Sequence, residues 1–133
     1  MTTNKYISSL PTSEAKIMKN FRKIILNGDK SVVEKFDRIM SIPNTLNYYE
    51  DGVFKYGLAV TKEYVSFHSM VMYAYPELQV ELKQKLKKVK FRKGCINFKN
   101  LDDFPIKEFE NHIKLSAELD FTGIIKHYKS KNQ

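Results

Sequence analysis

The apolar positions of this chain change period along its length, and the change divides it into helical and extended segments. In residues 12–28, apolar side chains recur every three or four positions, which predicts a helix that ends at Asn27-Gly28. Residues 29–40 keep a similar spacing, so a second helix capped by Asp29 is predicted next. The chain is therefore expected to begin with a helical hairpin.

Alternation replaces this pattern from residue 45 onward. Three strands are predicted, residues 45–50, 53–60 and 64–71, and a two-residue turn at Lys62-Glu63 joins the last two. Only one register of these two strands keeps a single face apolar. It pairs Val60 with Val65, Leu58 with Phe67, Gly57 with His68 and Phe54 with Val71.

The second half of the chain returns to helices around one short strand. Pro76 suits a first helical position, and a narrow apolar stripe predicts a helix that continues to Val89. Residues 95–98, CINF, have strand composition, and Pro105 begins a last helix. The predicted order is α-α-β-β-β-α-β-α. This order is typical of an α+β domain in which helices cover one face of a mainly antiparallel sheet of about four strands.

Length and composition indicate one folded unit. The chain has 133 residues, the size of a single domain, and its core is predicted within residues 12–121. The polar ends, residues 1–11 and 122–133, are expected to be flexible. No segment is apolar enough for a signal peptide or a membrane span, and the single cysteine, Cys95, cannot form an intramolecular disulfide. These features favour a cytoplasmic protein.

The net charge of +8 is concentrated in one segment. Residues 83–93 contain seven basic side chains and no acidic one, whereas the rest of the chain carries 16 basic and 15 acidic residues. On a helix such a run attracts phosphates, so weak nucleic-acid association is one alternative function. A lysine-rich helix face is also ordinary solvated surface. The basic residues are Lys83, Lys85, Lys87, Lys88, Lys90, Arg92 and Lys93.

The strand face opposite the apolar core carries the residue types from which a site could be built. Gly57 lies across from His68 in the predicted register, so its missing side chain would leave a recess beside the imidazole. If residues 95–98 pair alongside the 64–71 strand, Cys95 joins this face. The candidate ligand-binding residues are Lys55, Gly57, Ser66, His68, Met70, Cys95 and Asn97.

Three interpretations of this face stay open. His68, Met70 and Met72 carry soft donors suited to Cu(I), but same-face neighbours on a strand stand about 6.6 Å apart, too far to converge on one ion. Aromatic walls with a few polar groups are typical of a recess for a small molecule or a protein segment. The same side chains could also be structural, covered by another element or by a second subunit in a homodimer. No catalytic residue and no metal ligand is assigned, so a binding module is expected rather than an enzyme.

Three motifs follow one another between residues 56 and 98. They are Tyr56-Gly57 in a hairpin, Tyr-Pro-Glu-Leu at residues 75–78, and Lys-Gly-x-Ile-x-Phe at residues 93–98. In this order and spacing they resemble the YdhG-like family of small bacterial domains of unknown function. The resemblance implies a compact α+β fold with no established reaction.

The same resemblance adds a second alternative function, because some members of that family are labelled frataxin-like intracellular iron chaperones. Iron carriers of the frataxin type hold the metal on a ridge of carboxylates, since iron exchanges readily on hard oxygen donors. The first predicted helix here carries mainly lysine and arginine on its polar side. Such a surface repels cations, so the residues themselves predict no cofactor, and iron is implied only by the resemblance.

Overall fold

A six-stranded antiparallel sheet with helices packed on one face is the central feature of the computed structural model, which describes residues 2–131. Its strands are β1 Val33–Ile39, β2 Ile42–Glu50, β3 Val53–Val60, β4 Val65–Ser69, β5 Lys90–Arg92 and β6 Cys95–Phe98, in the spatial order β1-β2-β3-β4-β6-β5. The helices are α1 Thr3–Ser9, α2 Thr12–Gly28, α3 Met70–Ala74, α4 Pro76–Lys85, α5 Ile106–Glu118 and α6 Thr122–Lys131. The α+β class is confirmed, whereas the predicted four strands and their order relative to the helices are wrong in detail.

The core lies between the sheet and helices α2 and α5. Phe21 of α2 stacks on Phe109 of α5, with ring centroids 3.8 Å apart. Phe67 of β4 meets Phe109 edge-on at 4.8 Å, and Phe98 of β6 lies 5.5 Å from Phe21. Because each buried aromatic ring removes a large apolar area from water, this cluster fixes both helices on the sheet.

The second predicted helix is wrong, because residues 33–39 form the edge strand β1. This strand pairs antiparallel with β2, and Glu34 lies opposite Tyr48 on the side that faces the core. The Glu34 carboxylate accepts hydrogen bonds from the guanidinium of Arg22 and from the hydroxyl of Tyr48. Because Glu34 takes an inner position that is usually apolar, residues 33–39 lack the apolar alternation by which a strand is recognised.

The predicted register of β3 and β4 is confirmed where both strands are extended. Leu58 lies opposite Phe67, and Gly57 lies opposite His68. Residues 95–98 pair beside β4 as expected, with Cys95 opposite His68. Ile96 and Phe98 are accordingly buried in the core.

The strand β4 is shorter than predicted because Ser69 caps a helix. Its side-chain oxygen accepts the amide of Met72, and residues 70–74 form α3. Met72 is buried and Met70 is half-buried. The row of His68, Met70 and Met72 on one strand face and the pairing of Phe54 with Val71 are therefore wrong.

The basic segment is not one helix. Helix α4 begins at Pro76, as predicted, but it ends at Lys85, and residues 86–89 are irregular. Leu86 is buried in an extended conformation, and Phe91 of β5 packs against the core. These two apolar side chains return the chain to the edge of the sheet, so Lys90 and Arg92 lie on a strand.

The chain ends that the sequence predicts to be flexible contain helices α1 and α6. Tyr6 and Ile7 of α1 are buried, and the hydroxyl of Tyr128 in α6 lies 3.5 Å from Sδ of Met70. Residues 1, 132 and 133, which belong to the same predicted ends, lie outside the described residues. Within residues 2–131, no helix combines the length and the apolar character needed to cross a bilayer.

Candidate functional site

Two rows of paired residues cross all six strands on the side of the sheet that faces away from α2 and α5, here called the outer face. In the interior of the sheet both rows consist of small or uncharged side chains, and charged side chains stand only on the two edge strands. The first row is Lys35, Asn47, Gly57, His68, Cys95 and Arg92, and the second is Asp37, Thr45, Ala59, Ser66, Asn97 and Lys90. Five of the predicted candidate residues thus lie side by side.

The tip of the β1–β2 hairpin bends over this face. A register shift marks a bulge just before Ile39, and Nδ2 of Asn47 donates to the carbonyl oxygen of Arg38 at 3.0 Å. A Cβ atom on Gly57 would lie 2.5 Å from Cδ1 of Ile39 and 2.8 Å from Cζ of Phe54. The missing side chain of Gly57 makes room for these two side chains, so the recess predicted beside it is filled.

A cavity of about 360 Å³ remains between the hairpin tip, the outer face and α3. Arg38 and Lys93 are the only charged residues that line it within residues 2–131. Met40 and Tyr73, 82% and 46% exposed, lie where it opens to solvent. Met40 adopts a left-handed conformation with φ of 49°, which is uncommon for a residue with a side chain. The other lining residues are Ile39, Asn47, Tyr49, Phe54, His68, Ser69, Met70 and Gly94.

Four of the predicted residues are linked in one chain of hydrogen bonds, and one end of it, His68, lines the cavity. Oγ of Ser66 lies 3.0 Å from both Nε2 of His68 and Sγ of Cys95, and Cys95 donates to Oδ1 of Asn97 at 3.3 Å. One arrangement of protons gives every donor an acceptor. In it, neutral His68 donates from Nε2 to Ser66, Ser66 donates to Cys95, and Cys95 donates to Asn97.

Burial keeps the two titratable members of this chain uncharged. It lowers the pKa of His68 and raises the pKa of Cys95, because both charged forms lose hydration. The hydroxyl of Ser66 and the charge of Arg92 act in the opposite direction on the thiol and are outweighed. A protonated thiol beside a neutral imidazole is suited to hydrogen bonding and poorly suited to nucleophilic attack.

Lys55 does not belong to the outer face, contrary to the prediction. Tyr48 of β2 pairs with Tyr56 and Tyr49 pairs with Phe54, so Lys55 is the extra residue of a β-bulge. Its side chain is 1% exposed and its Nζ lies 2.7 Å from the carboxylate of Asp29, on the helix side of the sheet. The regular alternation of residues 53–60 gives no sign of this bulge.

The basic residues 83–93 are distributed over α4, an irregular segment, β5 and the turn that follows. Lys85 is paired with Glu81 and Glu108, whereas Nζ of Lys93 lies 5.0 Å from the ring centroid of Tyr73. Lys90 and Arg92 occupy the exposed edge of the sheet, where charged side chains oppose pairing with other chains. Nucleic-acid association stays a prediction, now for a strand edge and its flanks rather than for a helix.

The acidic residues bear on the iron alternative. Asp103 accepts the amide of Asn100 in a capping box, and Glu108 lies 3.5 Å from Nζ of Lys85. In the part of the chain that the structure describes, no three His, Cys, Asp or Glu side chains form a group that could hold a metal ion. Iron carriage stays a prediction.

A larger groove of about 970 Å³ lies on the helix side, between α2 and α5. Its lining includes Lys23, Lys107 and Lys114, but also Glu108 and Glu110, and the groove is open to solvent, as the outer-face cavity is. Surface creases between two helices are common, and no chemistry is concentrated in this one. The outer-face cavity combines a smaller volume with a uniform charge sign and an apolar wall, which is the usual make-up of a ligand site.

Of the twelve described residues that line the cavity, only His68 and Met70 are among the ligand-binding residues that the sequence predicts. The ten that sequence reasoning missed include Arg38, Ile39, Met40, Tyr73 and Lys93. The first three were assigned to a helix, and their hairpin turn contains no glycine that would have signalled it. Lys93 was assigned to the basic run, although the adjacent Gly94, with φ of 73°, does signal a turn. The outer face was thus predicted in part, without the hairpin tip that closes over it.

Comparisons of the chain with family models, with curated proteins and with solved structures found no match. The likeness to YdhG-like domains therefore stays a prediction from three motifs. Function has to be inferred from the residues of the outer face and its cavity.

Proposed function

We propose that this chain is a small-molecule binding module that uses the cavity between the β1–β2 hairpin tip and α3. The observation that carries the proposal is a 360 Å³ space with an apolar wall and few polar groups. Sites for small ligands usually measure about 300–1,000 Å³ and have this composition. We further propose that the protein is cytoplasmic and YdhG-like, as its sequence motifs indicate.

Two features of the cavity mouth support the proposal. Met40 and Tyr73 are among the few large apolar side chains left exposed, and both line this cavity. Met40 also holds a strained backbone conformation, and such strain is often found where a loop contacts a ligand. A flexible methionine facing an aromatic ring can adapt to ligands of different shapes.

A binding role is favoured over an enzymatic one by the chemistry beside the cavity. The nucleophilic atoms of Ser66 and Cys95 are committed to the hydrogen-bond chain with His68 and Asn97. No carboxylate takes part in that chain, so the imidazole lacks the acidic partner that orients a catalytic base. What the site offers a ligand is shape, apolar contact and a few polar groups.

An NMR titration of the ¹⁵N-labelled protein tests the proposal with three compact aromatic probes: benzyl alcohol, phenylacetate and phenyl phosphate. At least one probe is expected to shift the amide resonances of Met70, Tyr73 and Gly94 in a saturable way. Tyr73→Ala should weaken that binding, because it removes part of the apolar wall. Val33→Ala, which truncates an exposed apolar residue of β1 outside the cavity, serves as the matched control.

The proposal fails if none of the probes shifts these resonances. It also fails if the shifts cluster along the α2–α5 groove, around Lys23 and Lys114, because that groove would then be the ligand site.

A further inference from the structure

The charged groups around the outer-face cavity are of one sign. Arg38 and Lys93 line it, and none of the described aspartate or glutamate residues does. Both cationic side chains are exposed, and neither lies within ion-pair distance of a carboxylate among the described residues. A cavity with two unpaired cations and no anion creates a positive potential for an entering ligand.

The local contacts of the two cations leave their charge available. Nε of Arg38 donates to the carbonyl oxygen of Met40 at 3.1 Å, which orients the guanidinium and leaves its two terminal nitrogens free. Nζ of Lys93 lies over the ring of Tyr73, so the ammonium is positioned by an aromatic face rather than by an anion. Both groups are thus held at the cavity without being neutralised.

Asp37, which precedes Arg38 in β1, has a carboxylate that already accepts two hydrogen bonds. Asp37 accepts the hydroxyl of Tyr49 at 2.9 Å and the backbone amide of Arg38 at 2.9 Å. It does not line the cavity. These two hydrogen bonds stabilise the ionised carboxylate. Asp37 therefore offsets part of the positive potential, while the two cations that line the cavity outnumber it.

The rows of the outer face extend the same field. The first row ends in Lys35 at one edge of the sheet and in Arg92 at the other, and the second row ends in Asp37 and Lys90. Together with Arg38 and Lys93, the described residues of these two rows contain five cationic side chains and one carboxylate. The long-range attraction and the lining of the cavity therefore both favour a negatively charged ligand.

The wall chemistry defines the rest of the ligand. Ile39, Phe54 and Met70 supply apolar contact, while Asn47 and His68 are the polar groups between them. The volume of about 360 Å³ suits a compact ligand. From charge, wall and size together, and on the basis of the function proposed above, we infer that the ligand is a compact organic anion. It is a carboxylate or a phosphate monoester with an aromatic or branched aliphatic body, and Arg38 and Lys93 bind the anionic group.

The relative affinities of the three probes test the inference about ligand charge, whereas binding of any one of them tests the proposed binding function. Benzyl alcohol, phenylacetate and phenyl phosphate share an aromatic body and differ in charge. At low salt, at least one anionic probe is expected to bind about tenfold more tightly than the alcohol, the effect of one charge-assisted hydrogen bond. The preferred anion identifies whether a carboxylate or a phosphate is the natural group. Added salt should reduce the affinity of the anions and leave that of the alcohol unchanged.

Charge-neutral variants assign the effect to the two cations. Arg38→Gln and Lys93→Gln should each lower anion affinity severalfold and leave benzyl alcohol binding as it is. Lys62→Gln, an exposed lysine in the β3–β4 turn away from the cavity, is the matched control and should bind as the parent does. Both lining variants replace exposed side chains, so circular dichroism should show an unchanged fold.

Three other outcomes would contradict either the inference about ligand charge or the proposed binding function. If benzyl alcohol binds in the cavity as tightly as both anions, the ligand-binding function stands and the inference about charge is wrong. If the anions bind more tightly but Arg38→Gln and Lys93→Gln have no effect, the anion lies elsewhere on the protein and the inference is wrong. If no probe binds in the cavity, both proposals fail.

Discussion

Nζ of Lys55 lies 2.7 Å from Oδ2 of Asp29, and both side chains are almost completely withdrawn from solvent. Asp29 follows the last turn of α2, and its carboxylate also accepts the hydroxyl of Tyr56 at 2.8 Å. The ammonium reaches a second carboxylate, Glu50, at 2.7 Å. This network ties the end of α2 to the bulge of β3.

Removal of Lys55 is expected to be strongly destabilising. Lys55→Met should lower the free energy of unfolding by about 3–5 kcal/mol, because the Asp29 carboxylate then stays buried without its counter-ion. The double variant Lys55→Met with Asp29→Asn should lose less than the two single variants added together. Urea unfolding of the four proteins measures the coupling.

The exposed pair of Lys129 and Asp51 provides the control for that cycle. Their charged atoms are 2.9 Å apart, but both side chains are more than half exposed. Lys129→Met should therefore change the free energy of unfolding by less than about 1 kcal/mol. A loss for Lys55→Met as small as this would contradict the buried network.

The same lysine shows where sequence reasoning reaches its limit. The helices α2 and α5 and the register of Leu58 with Phe67 follow from periodicity, because each depends on apolar side chains that share one face. The sequence left the place of residues 95–98 open, and the structure pairs them with β4. Lys55 occupies a position that alternation assigns to the outer face. Its burial depends on the bulge in β3 and on an ion pair with Asp29. These two residues are 26 positions apart in the sequence, so no local pattern predicts their contact.

The outer face was predictable only for the strands with regular pairing. Gly57, Ser66, His68 and Cys95 were placed together correctly because residues 58, 67 and 96 are unambiguously apolar. The strand β1 was misassigned because its inner positions include Glu34, whose partners Arg22 and Tyr48 lie far away in the sequence. Without β1 there is no hairpin tip, and hence no cavity.

Gly57 is expected to tolerate no side chain, because Ile39 and Phe54 occupy the space where its Cβ would lie. Gly57→Ala should lower the free energy of unfolding by about 1–3 kcal/mol through overpacking. In an Ile39→Val background the same substitution should cost less, since Val lacks the Cδ1 atom that stands 2.5 Å from the added Cβ. Thermal or urea denaturation of the four proteins gives both values.

Gly123 is the matched glycine for this comparison. It lies in the first turn of α6, and a Cβ atom there would meet nothing within 4 Å. Gly123→Ala should be neutral or slightly stabilising, since alanine favours helix over glycine. Equal effects at Gly57 and Gly123 would show that the hairpin tip does not pack on the outer face.

His112 predicts a loss of stability in mildly acidic solution. Its ring is buried on α5, with Nε2 at 3.4 Å from the hydroxyl oxygens of Ser69 and Ser116, and burial lowers its pKa from 6.5 to about 4. Between these pH values the unfolded chain binds a proton that the folded chain does not. Stability is therefore fully present above pH 6.5 and decreases as the pH falls toward 4, by up to about 3 kcal/mol.

Urea midpoints measured across this window check the prediction. His112→Gln should flatten the dependence on pH. The remaining slope should come from His68, because burial lowers its pKa as well, and from Asp120, whose pKa is lowered by hydrogen bonds with Thr122. His127→Gln, which changes an exposed histidine of α6, should leave the profile of the parent unchanged. An identical slope in His112→Gln would exclude His112 as its source.

Cys95 tests whether the outer face is closed on the time scale of a chemical reaction. The thiol is 8% exposed, donates to Asn97 and has a pKa that burial raises, so both access and thiolate formation are restricted. Ellman's reagent attacks only an accessible thiolate, so the folded protein should react about a hundredfold more slowly than the protein unfolded in urea. Because the chain has a single cysteine, Cys95→Ser supplies the blank for the assay.

Ile39→Ala, which shortens a side chain of the hairpin tip, should accelerate the reaction of the folded protein if the tip protects this face. A folded protein that reacts as fast as the unfolded one would show that the fold does not protect the Cys95 thiol.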